Sequence, residues 1–313
     1  MRTGALFALL LLSVGAAHAQ TWLPSKGQGN VTFTYQDVLA RGHLLPNGQR
    51  APGAAGHDPV RSHMLMPEVE YGLSDRLALD LSLPLVEARY GGPNPHRIGA
   101  HGQPNTLDDG TYHGGFQDVR FDLRFAAVSG GFAVTPFVAG ILPSHHYESR
   151  AHSAIGLDLR AFVFGVGLGA FLDAIVPRTY IQAQVSHAVP QKVAGIRPRR
   201  SRLDSEVGHF VTSRLALRAL GSLQITHDGL DFPYAGLPQD LSLNHDRLSR
   251  NNFLNLGGGV SFAATRRLDA FVLASTLVWG ENVHPHRGIS AGLNWRFSTS
   301  RPPDTNRRRP APR

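Results

Sequence analysis

"GLSDRLALDLSLPLVEARY", residues 72–90, is the stretch that decides the fold class. Leucine stands at every odd position from 77 to 85, and Ala78, Asp80, Ser82 and Pro84 stand between the leucines. Because side chains alternate between the two faces of a β-strand, this stretch has one face of leucine and one face of small or polar residues. Strands commonly run about five or six residues, and this alternation persists for about twice that length. Such a stripe favours a strand that crosses a lipid bilayer.

The first 19 residues have the pattern of a cleaved secretory signal. Arg2 supplies a positive start, "ALFALLLLSV" is a short apolar run, and Ala17 and Ala19 form a small-residue cleavage site before Gln20. The 313-residue chain contains no cysteine, which excludes a lipoprotein anchor and a disulfide framework. We therefore expect an exported chain whose folded domain begins at residue 20.

The remaining composition limits the choice further. After residue 19 no run approaches the roughly 18 apolar residues that a spanning helix needs. The net charge of +8 and the pI of about 10.4 come from excess arginine, part of which lies in the Pro/Arg-rich tail at 298–313. That tail has no core-forming residues, so we expect it to be disordered. An exported chain meets little nucleic acid, so we expect no nucleic-acid partner.

Long segments of alternating apolar and polar residues recur through the chain. Short connections such as "GLSDR", "SGG", "TSR" and "ATRR" alternate along the chain with longer ones rich in Gly, Pro, Asn, Asp and His. The segments are 29–38, 60–71, 77–90, 115–128, 132–144, 156–171, 178–189, 201–211, 215–227, 251–263, 268–280 and 287–297. Short periplasmic turns and long external loops are typical of up-and-down barrels. The sequence predicts an all-β, transmembrane, antiparallel barrel of about twelve strands over residues 20–297, in the outer membrane of a Gram-negative cell. Counts from ten to fourteen agree with the same pattern.

The polar faces of these segments carry the predicted lining of the lumen. In 116–125, apolar residues at 119, 121, 123 and 125 alternate with charged residues at 118, 120, 122 and 124. The predicted lumen-lining residues are Asp80, Asp118, Arg120, Asp122, Arg124, Asp158, Arg160, Asp204, Glu206, Arg218 and Arg296. Opposed charges can create a field that orients a polar solute, or they can form a structural salt-bridge network. On the first alternative, replacing Arg120 and Arg124 with alanine alters ion preference and leaves folding intact.

Two kinds of chemistry have weak signals. Among sixteen histidines, His145, His146 and His152 lie within eight residues, and imidazole binds zinc, copper and nickel. No H-E-x-x-H or other tight ligand spacing occurs, so we expect surface histidines, no metal and no cofactor. The sequence contains no G-x-S-x-G motif of a serine hydrolase, and a Ser and a His that are neighbours on one strand point to opposite faces. We therefore expect no enzyme, with an outer-membrane, lipase-like hydrolase as one alternative.

Four stretches carry a family resemblance: "EYGLSDRLALDLSLPLVEARY", "DDGTYHGGFQDVRFDLRF", "TPFVAGILPSHHYES" and "LDSEVGHFVTSRLALRALGS". They resemble Gram-negative outer-membrane proteins of the family named for the MetA pathway of phenol degradation, a family of transporters. The resemblance implies passive passage of small solutes, including aromatic or other hydrophobic compounds, and supplies no catalytic residues. The expected partners are outer-membrane lipid, a small solute, and the barrel-assembly machinery during folding. A non-conducting structural barrel is the other alternative.

Overall fold

The computed structural model describes residues 21–51, 59–92, 97–100 and 102–299, and these residues form a barrel made almost wholly of β-strands. The strands within these ranges are β1 (Gln28–Ala40), β2 (Val60–Ser74), β3 (Leu77–Ser82), β4 (Leu85–Tyr90), β5 (His113–Phe116), β6 (Asp118–Phe125), β7 (Phe132–Pro143), β8 (Ala161–Phe171), β9 (Thr179–Pro190), β10 (Arg200–Phe210), β11 (Leu215–Thr226), β12 (Asn252–Ala263), β13 (Leu268–Glu281) and β14 (His286–Ser298). Two short helices, α1 (Gln239–Leu243) and α2 (His245–Leu248), lie between β11 and β12. None of the helices in the part of the chain described is long and apolar enough to cross a membrane.

The sheet closes on itself through its first and last strands. β1 pairs with β14 from Gln28 opposite Ser298 to Ala40 opposite His286, and its other edge pairs with β2. β3 and β4 lie end to end and act as one wall strand, and so do β5 and β6. The wall of the described chain therefore has twelve antiparallel strands, as predicted. A closed wall pairs its backbone groups internally, which a membrane requires because hydrocarbon offers them no partner.

The two split wall strands are interrupted at one level. Pro84 has no backbone N–H to donate to a neighbouring strand, and β3 ends two residues before it. The N–H of Gln117, which separates β5 from β6, donates to the carbonyl of Pro84 at 2.8 Å. The interruption is thus local, and the direction of the wall continues through it.

The connections differ between the two ends of the barrel. At one end the strands are joined by 75–76, 126–131, 172–178, 211–214 and 264–267, and we call this the short-turn end. At the other, the long-loop end, most connections are longer and include 91–112, 144–160 and 227–251. Short periplasmic turns and longer extracellular loops are the usual arrangement in outer-membrane barrels.

The two faces of the wall have the predicted polarity. Along β3 and β6 the side chains of Leu79, Leu81, Phe121 and Leu123 are exposed on the outside. Their neighbours on the other face, among them Asp80, are buried within the barrel. An apolar exterior over a polar interior is the pattern of a barrel surrounded by lipid.

The predicted segment at 156–171 also differs from the structure. β8 begins at Ala161, whereas the sequence places a strand from 156, because residues 144–160 form a loop that folds into the barrel. We call this segment the roof loop. Asp158 has a φ of 49°, which breaks the strand alternation before β8. Arg160 is exposed and falls in phase with the outward Phe162 and Phe164, so the parity that places it in the lumen does not hold there. The predicted signal at 1–19, and the tail apart from Ser298 and Thr299, lie outside the described residues.

Candidate solute pathway

A row of acidic side chains crosses three neighbouring wall strands inside the barrel. Glu70 on β2 stands opposite Asp80 on β3, and Asp80 stands opposite Asp122 on β6. We call these three residues the acidic row; Glu68, one inward position along β2, lies beside it. Like charges directly opposite each other across strands are destabilising, so this row needs cations close by.

Two arginines of β6 supply those cations. Arg120 forms an ion pair with Asp122 at 2.9 Å, and Arg124 forms a second with the same carboxylate at 3.1 Å. The guanidinium of Arg124 also donates to the Gln184 side chain at 3.1 Å and lies over the ring of Phe137. Because Gln184 is on β9, Arg124 reaches across the lumen from one part of the wall to another.

A second cluster lies further along the wall, around Glu206 on β10. Arg218 of β11 holds this carboxylate with two hydrogen bonds, of 2.9 and 2.5 Å, and the hydroxyl of Tyr180 donates to it. The paired fork of an arginine on a carboxylate is a strong and directional contact. Asp204, one inward position away on β10, receives hydrogen bonds from Arg202 and Ser222 at 2.8 Å each.

Two of the cavities that the described residues enclose lie in the lumen. The outer cavity, near the long-loop end, has a volume of about 230 Å³ and is lined by Arg120, Arg200, Arg202 and Asp118 together with apolar side chains. The inner cavity, near the short-turn end, has a volume of about 440 Å³ and a lining that includes the Glu206 cluster and Arg296. The two share no lining residue. Along β9, Gln182 lines the inner cavity and Ser186 the outer one, and Gln184 lies between them. The contact of Gln184 with Arg124 therefore marks a constriction between the cavities.

The roof loop covers the outer cavity. Its residues Gly156 and Leu157 line that cavity, and Gln117 donates to the Ile155 carbonyl at 2.6 Å. Arg247 of α2 donates to the Leu157 carbonyl at 2.9 Å and to the Asp158 carbonyl at 2.5 Å. A helix from a different loop therefore holds the roof loop in place.

Further contacts fix the roof loop to the wall. The hydroxyl of Tyr147 donates to Asp118 at 2.5 Å and accepts the backbone N–H of Asp158 at 3.0 Å. Burial and the nearby Asp118 carboxylate raise the pKa of Tyr147 above its ordinary value, so it stays a neutral donor. Asp118, a predicted lumen residue, lines the outer cavity, and its side chain contacts Tyr147 of the roof loop.

An extended segment lies across the short-turn end. Residues 21–27, which we call the strap, run from β2, where the Gly27 N–H donates to the Gly72 carbonyl at 2.9 Å, to β7, where Thr135 donates to the Thr21 carbonyl at 2.6 Å. The Trp22 ring packs on Phe171 with centroids 4.8 Å apart. Gly169 leaves room for it, because a Cβ there would lie 2.8 Å from the indole. The strap thus narrows the lumen at this end.

The three candidate histidines do not form a site. The Ser144 hydroxyl and His145 Nδ1 lie 2.9 Å apart. His146 is exposed, and its Nδ1 lies 3.7 Å from the Asp158 carboxylate. His152 is buried, stacked on Tyr90 at 4.1 Å. Within the described ranges no group of three or more His, Cys, Asp and Glu side chains is arranged to hold a metal ion.

Most of the other predicted lumen residues occupy the inward face. Asp80, Asp122, Arg124, Asp204 and Glu206 are buried there. Arg296 pairs with Asp269 at 2.8 Å beside the inner cavity. The role of these residues in lining a solute path is a proposal, which their positions alone do not test.

Sequence reasoning missed four inward charges and the strap. Glu68 and Glu70 alternate with Val69 and Tyr71 in a segment already assigned as a strand, so strand parity could have found them. Arg200 and Arg202 share the parity of Asp204 and were open to the same argument. The strap has no repeating pattern, and nothing in its residues signals a position inside a barrel.

Known structures share this architecture. The COG4313 outer membrane channel from Pseudomonas putida F1 is similar with a TM-score of 0.66 and 10% identity, over 89% of this chain and 98% of that chain. The β domain of the Bordetella autotransporter Brka gives 0.47 and 13%, over 87% and 100%. The Pseudomonas putida toluene transporter TodX gives 0.42 and 10%, over 94% and 95%. At these identities the likeness concerns the fold, and the two lower scores carry no further weight. No protein-family model matches the chain, and neither does any curated protein.

The closed twelve-stranded wall and its apolar exterior define an outer-membrane β-barrel. The predicted fold class, the lipid surroundings and a place in the outer membrane of a Gram-negative cell are confirmed at the level of the fold.

Proposed function

We propose that this barrel is a channel through which small solutes diffuse across the outer membrane. The observation that carries the proposal is the pair of polar-lined cavities in one lumen, with the contact of Arg124 with Gln184 between them. A barrel filled solely to support its wall needs no such cavities. The solute enters beneath the roof loop, passes the constriction and leaves beside the strap into the periplasm.

The solute class follows from the resemblance to the MetA-pathway family. On that basis the solutes include aromatic or other hydrophobic compounds, and the chain acts as a transporter and not as an enzyme. Assembly of the barrel then involves the barrel-assembly machinery, and the aromatic Phe297 lies one residue before the end of the last strand, where outer-membrane barrels typically carry an aromatic residue.

Planar-bilayer recording tests the channel. We expect the native protein to give a small conductance, and the variant Gly169→Leu to give a larger one, because the new side chain displaces Trp22 and with it the strap. Gly131→Leu is the matched control, since a Cβ at Gly131 meets nothing within 4 Å. If none of the three proteins conducts, the barrel is a non-conducting structural one and the proposal fails.

Hydrolysis at the outer face is a second candidate, favoured by one arrangement. The Ser201 hydroxyl lies 2.7 Å from His227 Nε2 and 3.0 Å from His187 Nδ1, close to the long-loop end. A serine beside a histidine base is the minimal nucleophile of a hydrolase. Among the described residues, however, no carboxylate is hydrogen-bonded to either ring, so an orienting third group is missing. Ester hydrolysis that disappears in Ser201→Ala would establish this function in place of the channel.

A further inference from the structure

We infer that the outer cavity is a binding site for a small organic carboxylate with an apolar body, and that Arg200 is the residue that recognises the carboxylate. This inference rests on the proposed channel function and names the class of solute that the lumen selects. Its basis is the unequal pairing of the three arginines around the cavity.

Two of these arginines are already neutralised. Arg120 is paired with Asp122 at 2.9 Å, and Arg202 is paired with Asp204 at 2.8 Å. Each guanidinium is thereby directed to the wall, where it balances a buried carboxylate. Neither offers a free fork to a solute.

Arg200 differs from them. Its Nη2 is buried and has no hydrogen-bond partner in the part of the chain described. Asp118, which lines the same cavity, is held instead by the hydroxyl of Tyr147. A buried charged donor without a partner is costly, so a native structure that keeps one calls for a ligand or ion to satisfy it. The planar fork of arginine matches a carboxylate with two parallel hydrogen bonds.

The other residues that line the outer cavity indicate the chemistry of the ligand beyond its carboxylate. The apolar side chains Ile141, Leu157, Val163 and Phe253 line the cavity together with its polar groups. Gln224 and Ser186 add neutral hydrogen-bonding groups beside Arg202. An inorganic anion leaves the apolar walls unused, and a hydrocarbon leaves Arg200 unsatisfied. The amphipathic lining therefore fits an organic acid.

The volume of the outer cavity sets an upper limit on the size of the ligand. The volume of about 230 Å³ lies below the range of roughly 300–1,000 Å³ typical of sites for drug-sized ligands. The occupant is therefore a small acid with a compact apolar part, such as a single ring. The roof loop encloses it, because Gly156 and Leu157 form part of the lining.

Equilibrium binding to the full-length protein in detergent tests this site, with sodium benzoate as the probe. We expect the native protein to bind benzoate, and Arg200→Ala to bind it about tenfold or more weakly, as expected for loss of a charge-assisted contact. Arg197→Ala is the matched control: it removes the same charge from an exposed loop residue three positions earlier, and we expect unchanged affinity. Heat-dependent migration on a gel checks that each variant is folded.

Two further probes test the ligand class. Benzyl alcohol keeps the ring and lacks the charge, and sodium acetate keeps the charge and lacks the ring, so we expect both to bind more weakly than benzoate. Equal benzoate affinity in the native protein and Arg200→Ala, no benzoate binding, or acetate affinity equal to that of benzoate would each overturn the inference. Conductance recorded on the same preparations separates the two proposals: a conducting protein that ignores benzoate disproves only the site, and a benzoate-binding protein that never conducts disproves only the channel.

Discussion

Arg124 offers the sharpest test of how the lumen is held together, through the substitution Arg124→Ala. Its side chain is only 6% exposed and that of its partner Asp122 only 1%. Removing the guanidinium abolishes the ion pair with Asp122, the hydrogen bond to Gln184 and the contact with the Phe137 ring. It also leaves the acidic row with Arg120 as its remaining paired cation.

The expected loss follows from the burial of this pair. Breaking a buried ion pair by removing one partner costs about 3–5 kcal/mol, because the other charge stays buried without compensation. Asp122 keeps its contact with Arg120 at 2.9 Å, so we expect a loss near the lower limit, about 3 kcal/mol. The matched control is Arg296→Ala. Its ion pair with Asp269 has side chains 50% and 30% exposed, and exposed pairs contribute about 0–1 kcal/mol.

The assay is urea unfolding of the barrel in lipid vesicles, followed by tryptophan fluorescence. Asp80 stands opposite Asp122 in the strand register, so adding Asp80→Asn to Arg124→Ala should restore part of the free energy of unfolding. A loss in Arg124→Ala no larger than in Arg296→Ala would refute the compensation argument. So would a double variant less stable than Arg124→Ala alone. From the sequence we expect intact folding when Arg120 and Arg124 are both changed to alanine. Because the structure shows that Arg124 is buried, we now expect a measurable loss in the free energy of unfolding.

Three other changes have definite outcomes. Arg247→Ala removes the hydrogen bonds that hold the roof loop, so we expect more frequent opening in single-channel records, and an unchanged open fraction would contradict this. Leu79→Arg places a charge on the outer face and should lower the free energy of unfolding in vesicles by about 2–4 kcal/mol. The control Leu73→Arg, beside a short turn, should lower that free energy by about 0–1 kcal/mol. Equal losses in the two variants would contradict the lipid-facing assignment. Burial lowers the pKa of His245, but the Asp246 carboxylate outweighs burial and holds that pKa above its ordinary value. The resulting stabilisation is complete below about pH 6.5 and is lost as the pH rises through the raised pKa of His245. Protection of the amides at 239–248 against hydrogen exchange, corrected for the intrinsic exchange rate, should therefore fall at alkaline pH. Constant protection would contradict this prediction.

The sequence predicts the wall well because the wall obeys a rule of period two. Each transmembrane strand needs an apolar side chain at every second position, and the alternation in 77–90 or 116–125 reports this directly. The split strands were harder to foresee, although Pro84 was a visible signal of an interruption. The parity argument failed at Arg160 because it was carried past the end of a strand into the roof loop, where Asp158 turns the chain.

Contacts across the lumen follow no such rule. Parity places Arg124 and Gln184 on the inner face, but it gives neither their height nor their position around the wall. Their meeting depends on the stagger of all the strands between β6 and β9, which is a property of the closed sheet. The strap, and the place of the roof loop inside the barrel, were missed for a related reason. Both are irregular segments whose position is fixed by contacts with distant wall residues such as Gly169 and Gln117.

The pairing pattern of the lumen separates charges that support the wall from charges that a solute can use. Arg120, Arg124 and Arg296 each contact a wall carboxylate, so each must be directed to its partner as long as the barrel is folded. A paired guanidinium contributes little net field to a passing solute, because the opposite charge lies within 4 Å of it. Selection by the lumen therefore depends on groups whose pairing is incomplete. The buried Nη2 of Arg200 is such a group, and Arg200 lines the outer cavity, near the long-loop end. By this reasoning, Arg200→Ala should change which solutes pass while preserving the stability of the barrel, whereas Arg124→Ala should lower that stability.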